Sequence, residues 1–443
     1  MSMLSESVSD PEEQLSSLFD RWQSLSVGLY MSIVGYSVLA GIPVISTAWS
    51  TLLGFSETEV GRVAGADLGG LSCGAIIAAL LVSRVDRRAI VVAAVLFALA
   101  TNLACVRFDT YVETLVLRFL SGVASGVLTG VAVATLGGRT HPARAFNYLL
   151  FSFAFVQAGE MYVLPRLSME HIYYLFAASY LPVLLLLSWL PPRPDFAAPV
   201  PPRSGSEAAS SIAAGAAQAL PKGLRMPNVS VLVIWLCLFA MALTYVNIGA
   251  YWTYIELASM DAGLDSDWVS GVLIWVSFFS VAGCLVATLI SDRFGLARPL
   301  LITLILHAAA VFILVNKIDA PRFLLSLYAF NFLWIFIDVY QMGSIANLDK
   351  SGRFASLIPA AQGLGQIVGP NIAASLLAAG YGYSAIFVLC AGASLCAFVV
   401  YAVAYSRIRF DLQAMDGSNQ SGPQPSPYPS RRSETAGRRK FDE

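Results

Sequence analysis

Gly283–Arg298 reads GCLVATLISDRFGLAR, and this stretch decides the fold. An apolar run ends in the short polar loop SDRFG at positions 291–295, and the next apolar run opens directly after it. An earlier stretch, Gly74–Arg88, reads GAIIAALLVSRVDRR and has the same design at the matching place in the first half of the chain. A loop pattern that recurs at matched positions indicates that the two halves are copies of one structural unit.

The composition is that of a membrane protein. Of the 443 residues, 57% are hydrophobic and 12% are charged, against roughly 25% charged residues in an ordinary globular domain. The missing charge is explained if most of the surface faces lipid, so we expect the lipid bilayer as a partner. A net charge of −1 gives no reason to expect a nucleic-acid partner.

Neither the cysteines nor the sequence motifs indicate catalysis or a bound cofactor. All six cysteines lie in apolar runs without metal-ligand spacing, which favours free buried thiols and predicts no metal and no cofactor. The sequence contains no H-E-x-x-H, no G-x-S-x-G and no P-loop. We therefore expect a protein that is not an enzyme and is not driven directly by ATP.

A helix needs about 20 mostly apolar residues to cross a bilayer. The runs between charged and Pro/Gly-rich breaks give twelve candidate spans: Leu25–Thr47, Val60–Val82, Ala89–Val106, Tyr111–Leu136, Ala145–Leu164, Ile172–Leu190, Val229–Trp252, Trp268–Ile290, Pro299–Val315, Phe323–Ala346, Phe354–Ala379 and Tyr383–Tyr405. The N-terminus is polar and acidic, unlike a signal peptide, so the first apolar run is itself predicted to be a membrane helix.

The spans predict five regions in the chain. Residues 1–24 form a cytoplasmic tail, 25–190 and 229–406 form two six-helix bundles, 191–228 form a cytoplasmic linker and 407–443 form a disordered tail. Lys and Arg collect on one side of the alternating connections, which places both termini in the cytoplasm. The compact loops favour a bacterial inner membrane.

The stretch at 283–298 resembles the signature loop of the major facilitator superfamily. In that family G-x(several)-D-R-x-G-x-R/K joins the second and third helices of each half, and Asp292, Arg293, Gly295 and Arg298 match it with one extra residue. The resemblance implies an all-α membrane protein with twelve transmembrane helices in two pseudo-symmetric six-helix bundles. It also implies secondary transport by alternating access.

The first copy of the loop departs from the family pattern. Ser83 stands where the family has Asp, and Asp86 stands where it has Gly, although Arg84 and Arg88 remain. In the family this loop makes a charge relay that locks one conformation. The resemblance therefore implies a gating role for Arg84, Arg88, Asp292, Arg293, Gly295 and Arg298. The alternative is that these charges only enforce topology.

Three ionisable residues lie at similar depth in the first half. Asp67, Arg118 and Glu160 all fall within roughly 8–11 Å of the predicted outer boundary, from the rise of about 1.5 Å per residue. Because a charge in the membrane costs several kcal/mol unless paired or hydrated, we expect them to form one cluster. Two carboxylates beside one guanidinium leave an excess negative charge, so one acid is expected to carry a proton. The alternative is a structural ion pair.

Arg118 also belongs to a second resemblance. The sequence RFLSG at positions 118–122 looks like the family's R-x-x-Q-G element, with Ser121 in place of Gln. In the family that arginine faces the central cavity and is linked to proton coupling. The Gly/Pro-rich fifth span of antiporters is poorly matched here.

Polar residues form a stripe on the tenth span. Asn331, Trp334, Asp338 and Gln341 recur at i, i+3, i+7 and i+10, so one helical face carries all four. A stripe of this kind is expected to face a cavity or another helix. Asp338 is predicted as a further proton or cation site, and an interhelical hydrogen bond is the alternative.

The sequence thus predicts a monomeric secondary transporter of a small, partly apolar organic solute by proton-coupled efflux. Import of a small organic acid with protons, using Arg118 as counter-charge, is one alternative, and a receptor on a transporter scaffold is another. The predicted proton-coupling residues are Asp67, Arg118, Glu160 and Asp338. The predicted substrate-binding residues are Tyr30, Tyr36, Asn247, Trp252, Asn331, Trp334, Gln341, Gln362 and Gln366.

Overall fold

A computed structural model describes residues 18–82, 84–139, 142–191, 231–290, 295–348, 354 and 357–420. These residues form twelve α-helices and two short 3-10 helices, Leu164–Arg166 and Leu187–Trp189, and contain no strand. The α-helices are α1 Trp22–Leu53, α2 Glu57–Leu81, α3 Arg87–Arg107, α4 Tyr111–Gly137, α5 Pro142–Val163, α6 Met169–Leu185, α7 Val231–Asp261, α8 Ser266–Ile290, α9 Ala297–Phe312, α10 Ala320–Leu348, α11 Ile358–Ala378 and α12 Tyr383–Gln420.

Each predicted span coincides with one of these helices, and the predicted all-α fold class is confirmed. By length and composition, α1–α4, α7, α8, α10 and α12 are each able to cross a membrane, and α9 is apolar but shorter. Helix α12 continues to Gln420, past the predicted end of the bundle at 406. Most of the predicted linker and of both tails lies outside the described residues.

The two halves repeat one packing scheme. Helix α1 packs on α4, α5 and α6 as α7 packs on α10, α11 and α12. The pairs α2–α4, α3–α4 and α3–α6 recur as α8–α10, α9–α10 and α9–α12. Between the halves α1 packs on α7, α2 packs on α11 and α5 packs on α8. If each helix is replaced by its counterpart in the other half, the α2–α11 contact becomes the α8–α5 contact. This is the contact pattern of two pseudo-symmetric bundles.

The two repeated stretches begin with Gly74 and Gly283, and close helix packing explains why both positions are glycine. A Cβ atom on Gly74 would lie 2.1 Å from the Val123 carbonyl oxygen of α4. A Cβ atom on Gly283 would lie 2.2 Å from the Phe332 carbonyl oxygen of α10. Only glycine lets the second helix of each bundle approach the fourth this closely.

The two copies of the signature loop differ in their backbone. Gly295 has φ 72°, a left-handed conformation that favours glycine. Asp86, at the corresponding place in the first copy, has φ −59° and ψ 127° and directly precedes α3. Asp86 is therefore not left-handed, which explains why this position tolerates Asp where the second copy has Gly.

The halves meet closely at one end of the molecule. We call the end where α1 begins the terminal face, and the end where α1 passes to α2 the far face. The Trp252 indole donates to the Leu39 carbonyl at 3.1 Å, and the Tyr254 hydroxyl donates to the Glu57 carbonyl at 2.8 Å. The Tyr383 hydroxyl donates to Glu57 Oε1 at 2.5 Å. These bonds cross between the halves, so the far face is closed.

Candidate functional site: buried carboxyls around a central cavity

Asp67 and Arg118 form a closed ion pair between α2 and α4. Arg118 Nε and Nη2 donate to Asp67 Oδ2 at 2.8 and 2.5 Å, and Nη1 donates to Asn102 Oδ1 at 3.0 Å. Asp67 is 3% exposed and Arg118 is 0% exposed. The carboxylate and the guanidinium neutralise each other, and the amide of Asn102 completes the bonding of the arginine.

The predicted three-residue cluster is corrected by the structure, because Glu160 stands apart from this pair. Its side chain lies beside α1, near the Ser37 hydroxyl, and a Cβ atom on Gly41 would lie 3.2 Å from its Oε2 atom. That oxygen is buried without a hydrogen-bond partner. The reason is packing: α5 lies mainly against α1 and α8, whereas Asp67 and Arg118 join α2 to α4.

Asp338 lies in a polar group of the second half. The Tyr245 hydroxyl donates to Asp338 Oδ2 at 2.6 Å, and Gln362 Nε2 donates to the same hydroxyl at 2.8 Å. Asp338 is 8% exposed and its Oδ1 atom has no hydrogen-bond partner. No cation within the described ranges pairs with it. The indole of Trp334, one helical turn away, lies near the carboxyl.

A cavity of about 170 Å³ opens between the two halves, lined by parts of α1, α5, α8 and α10. Aromatic side chains from three of these helices line it, namely Tyr36, Phe153 and Trp334, together with aliphatic residues. Its polar groups include Gln157 and Ser277, and the Ser277 hydroxyl donates to Gln157 Oε1 at 2.7 Å across the halves. No charged side chain lies among the described residues of its wall.

Of the predicted substrate-binding residues, Tyr36 and Trp334 line this cavity, and Gln362 joins the group around Asp338. The other six do not line the cavity, although Trp252 borders it: its indole donates to the carbonyl of the wall residue Leu39, and its ring centroid lies 6.2 Å from that of Trp334. Tyr30 donates to the Ser179 carbonyl, Asn247 donates to Ser394, Trp252 belongs to the far-face closure, Asn331 donates to the Leu327 carbonyl of its own helix, Gln341 donates to Thr244, and Gln366 is buried where α11 packs against Gly249 of α7.

The structure describes four of the six predicted gating residues. Asp292 and Arg293 lie outside the described residues, while Gly295 and Arg298 are exposed. Arg84 lies in the turn three residues after the end of α2 and is exposed. Arg88 donates to the carbonyls of Ser188 and Leu190, so it fastens the chain that follows α6 onto α3 within one half. A gating role for these residues stays a prediction.

Three residues of the site were not predicted from the sequence. Gln157 and Ser277 were not singled out, although a glutamine three residues before Glu160 in an apolar span was a visible signal. Glu256, buried near the far-face end of α7, was not predicted as a site residue either. Each lies where two elements meet, which periodicity along one helix does not reveal.

The comparisons with known proteins agree with this architecture. A family model described as the Major Facilitator Superfamily matches residues 25–348. The chain belongs to the major facilitator superfamily. A search of curated proteins finds no significant match.

Members of the superfamily with solved structures resemble the chain in fold. The human organic anion transporter MFSD10 (TETRAN) has a TM-score of 0.59 and 14% identity, covering 88% of this chain and 100% of its own. A variant of the nucleoside transporter NupG has a TM-score of 0.61 and 12% identity, covering 86% and 100%. A D-xylose-proton symporter has a TM-score of 0.60 and 17% identity, covering 85% and 96%.

Membership of the superfamily confirms the resemblance seen in the sequence and makes this chain an integral membrane protein of a transporter family. Secondary transport is the function that this architecture supports. The fold places the cavity between the two halves, where alternating access requires a substrate site.

Proposed function

We propose that the chain exports small, partly apolar organic molecules in exchange for protons. The observation that carries this proposal is the uncharged aromatic cavity with Asp338 one helical turn from its wall residue Trp334. A cavity without charge favours an uncharged solute, and the rings of Tyr36, Phe153 and Trp334 favour a flat or apolar one.

Asp338 is the coupling residue in this proposal. A carboxyl inside a membrane protein that lacks a cationic partner is costly when ionised. A proton on Asp338 removes that cost, and release to water restores the carboxylate when its side of the protein is hydrated. The Asp67 carboxylate has a permanent counter-charge in Arg118 and is less suited to this role.

Export follows from the nature of the cavity and from the charge asymmetry. An uncharged, partly apolar solute enters cells by diffusion, so active work is needed to remove it. The terminal face carries the basic loops and is assigned to the cytoplasm. Acid import has less support, because the guanidinium of Arg118 is fully buried and bonded to Asp67 and Asn102.

The test is transport by the purified protein in liposomes with an internal pH dye. A panel of neutral aromatic compounds should include one whose movement against its gradient follows the imposed proton gradient. Asp338→Asn should abolish gradient-driven movement and keep counterflow exchange of the same compound. Asp109→Asn, at an exposed carboxyl in the loop between α3 and α4, is the matched control and should behave as the wild type.

Alkylation of Cys284 tests substrate binding independently of transport, because Cys284 lines the cavity. With the other partly exposed cysteines, Cys73 and Cys396, replaced by alanine, alkylation of Cys284 should slow when a transported compound is bound. Binding without any flux would favour the receptor alternative. Gradient-driven transport that survives Asp338→Asn would overturn the coupling assignment.

A further inference from the structure

Glu256 is a buried carboxyl that the proposed function does not use. It lies five residues before Asp261, the last residue of α7, and is 3% exposed. Its Oε2 atom has no hydrogen-bond partner. The nearby Thr47 of α1 and its neighbour Ser46 also have buried hydroxyls without partners. The unpartnered carboxyl oxygen of Glu256 and the Thr47 hydroxyl thus lie beside each other where α1 packs on α7.

This region belongs to the closure of the far face. Glu256 is one helical turn beyond Trp252, and residues at i and i+4 share one face of a helix. Trp252 donates across the halves to Leu39 of α1, and Tyr254 donates across them to Glu57. The contact that buries Glu256 is therefore the contact that must separate when the far face opens.

No cation within the described ranges neutralises Glu256. Helices α1, α2, α8, α10, α11 and α12 all pack against α7. Of these, α1 and α11 present no charged side chain to the region of Glu256, and α12 presents the phenol of Tyr383. The remaining charged groups are Glu57, Glu59, Arg62 and Asp67 of α2, Asp261 of α7 itself, Asp267 of α8, and Arg322 and Asp338 of α10. Arg322 lies at the far-face end of α10, where it pairs with Asp319 at 3.7 Å, and Asp338 lies toward the terminal face.

The free-energy cost of burying the Glu256 carboxyl depends on whether the two halves are in contact or separated at the far face. An ionised carboxyl without a partner is strongly disfavoured in a dry contact, and its hydroxyl neighbours are disfavoured without hydrogen bonds. Water that enters between α1 and α7 removes both costs. The closed contact thus favours the neutral carboxyl, and the open one accommodates the carboxylate.

We propose that Glu256 links opening of the far face to proton exchange. The far face closes over Glu256 with its proton bound, and opening releases that proton from the carboxyl to water. The proposal rests on the proposed function only in that two halves alternate, and it requires neither the central cavity nor Asp338.

The experiment measures the far-face separation directly, without a substrate. Spin labels are attached at Asp109→Cys and Asn316→Cys, which are exposed far-face positions in opposite halves. Cys73, Cys284 and Cys396 are replaced by alanine, and the protein is held in lipid nanodiscs. Pulsed electron paramagnetic resonance then gives the populations of short and long distances over a pH series.

In otherwise wild-type protein the ratio of open to closed far faces should rise with pH, by up to about tenfold per pH unit where one proton is released. Glu256→Gln should keep the closed distance and lose the pH response. Glu256→Asp, which keeps a carboxyl, should retain a response. Glu57→Gln, the matched change at the other carboxyl of this contact, should weaken closure through Tyr383 and still respond to pH.

Asp338→Asn separates this proposal from the proposed function. Its far face should still respond to pH, even though its transport is uncoupled. The inference is overturned if the far-face distances of Glu256→Gln change with pH as they do in the wild type. It is also overturned if the distances of the wild type do not change with pH. If Asp338→Asn alone removes the response, Asp338 controls the far face and the assignment to Glu256 is wrong.

Discussion

Replacing Asp67 by asparagine should destabilise the protein strongly, because it leaves a buried charge without a partner. Arg118 is 0% exposed and makes three hydrogen bonds, two of them to Asp67 Oδ2. Breaking a buried ion pair by removing one partner costs about 3–5 kcal/mol. The asparagine can still accept one hydrogen bond, so about 3 kcal/mol is the expected loss in the free energy of unfolding.

A double variant isolates the charge effect from the hydrogen bonds. Asp67→Asn combined with Arg118→Gln removes both charges and keeps polar side chains of similar size. Replacement of a whole buried pair is often close to neutral, so the double variant should recover most of the loss. The coupling energy between the two positions is then about 2–3 kcal/mol.

The assay is reversible unfolding in mixed micelles by SDS titration, with the transport assay run in parallel. Glu113→Gln on α4 is the matched control, because that carboxylate is exposed and should change stability by less than about 1 kcal/mol. If the pair is structural, the double variant should also keep proton-driven transport. An Asp67→Asn protein as stable as the wild type would refute the reasoning, and so would a double variant no better than either single variant.

Three further substitutions test the packing, the closure and the first signature loop. Gly369→Ala puts a Cβ atom 2.3 Å from a carbonyl oxygen of α7, so SDS titration should show lower stability. Trp252→Phe loses the 3.1 Å bond to the Leu39 carbonyl, worth about 1 kcal/mol, so spin-label distances should show about fivefold more open far face. Arg88→Met frees the Leu190 carbonyl and should cost about 1.5–3 kcal/mol on unfolding.

Each of these changes has a control of the same chemistry on the same chain. Gly271→Ala places its Cβ atom in open space, since no heavy atom lies within 4 Å of it. Trp275 is 61% exposed, so Trp275→Phe should leave the far-face distances unchanged. Arg107 is exposed at the end of α3, and Arg107→Met should leave stability unchanged. A control that behaves like its partner would remove the structural explanation.

The sequence predicted the helices and their duplication well, because these follow from local patterns. An apolar run of suitable length is enough to locate a membrane helix, and Gly283 with Gly295 marked the second copy of the loop. The position of Glu160 was predicted less well. Its depth follows from the rise along α5, but its direction depends on packing against α1, which no spacing within one helix specifies.

The residues that line the cavity were also predicted only in part from the sequence. Tyr36 and Trp334 were expected at a substrate site and do line the cavity, whereas the stripe through Asn331 and Gln341 makes hydrogen bonds within the second half. Helical periodicity shows that residues share a face, but the identity of the facing helix comes from tertiary packing. The Gln157–Ser277 bond joins two helices from different halves and has no counterpart in a linear pattern.

The buried carboxyls of the two halves differ in whether a counter-charge lies beside them. In the first half Asp67 has a permanent counter-ion, so giving up its negative charge would strand a guanidinium in the membrane. Asp338, Glu160 and Glu256 have no such partner among the described residues, so binding a proton removes a cost for each. Glu256 lies toward the far face and Asp338 on the terminal side of Trp334. On the two proposals made above, Asp338 and Glu256 exchange protons with opposite sides of the membrane as the halves alternate, whereas the paired Asp67 does not take part.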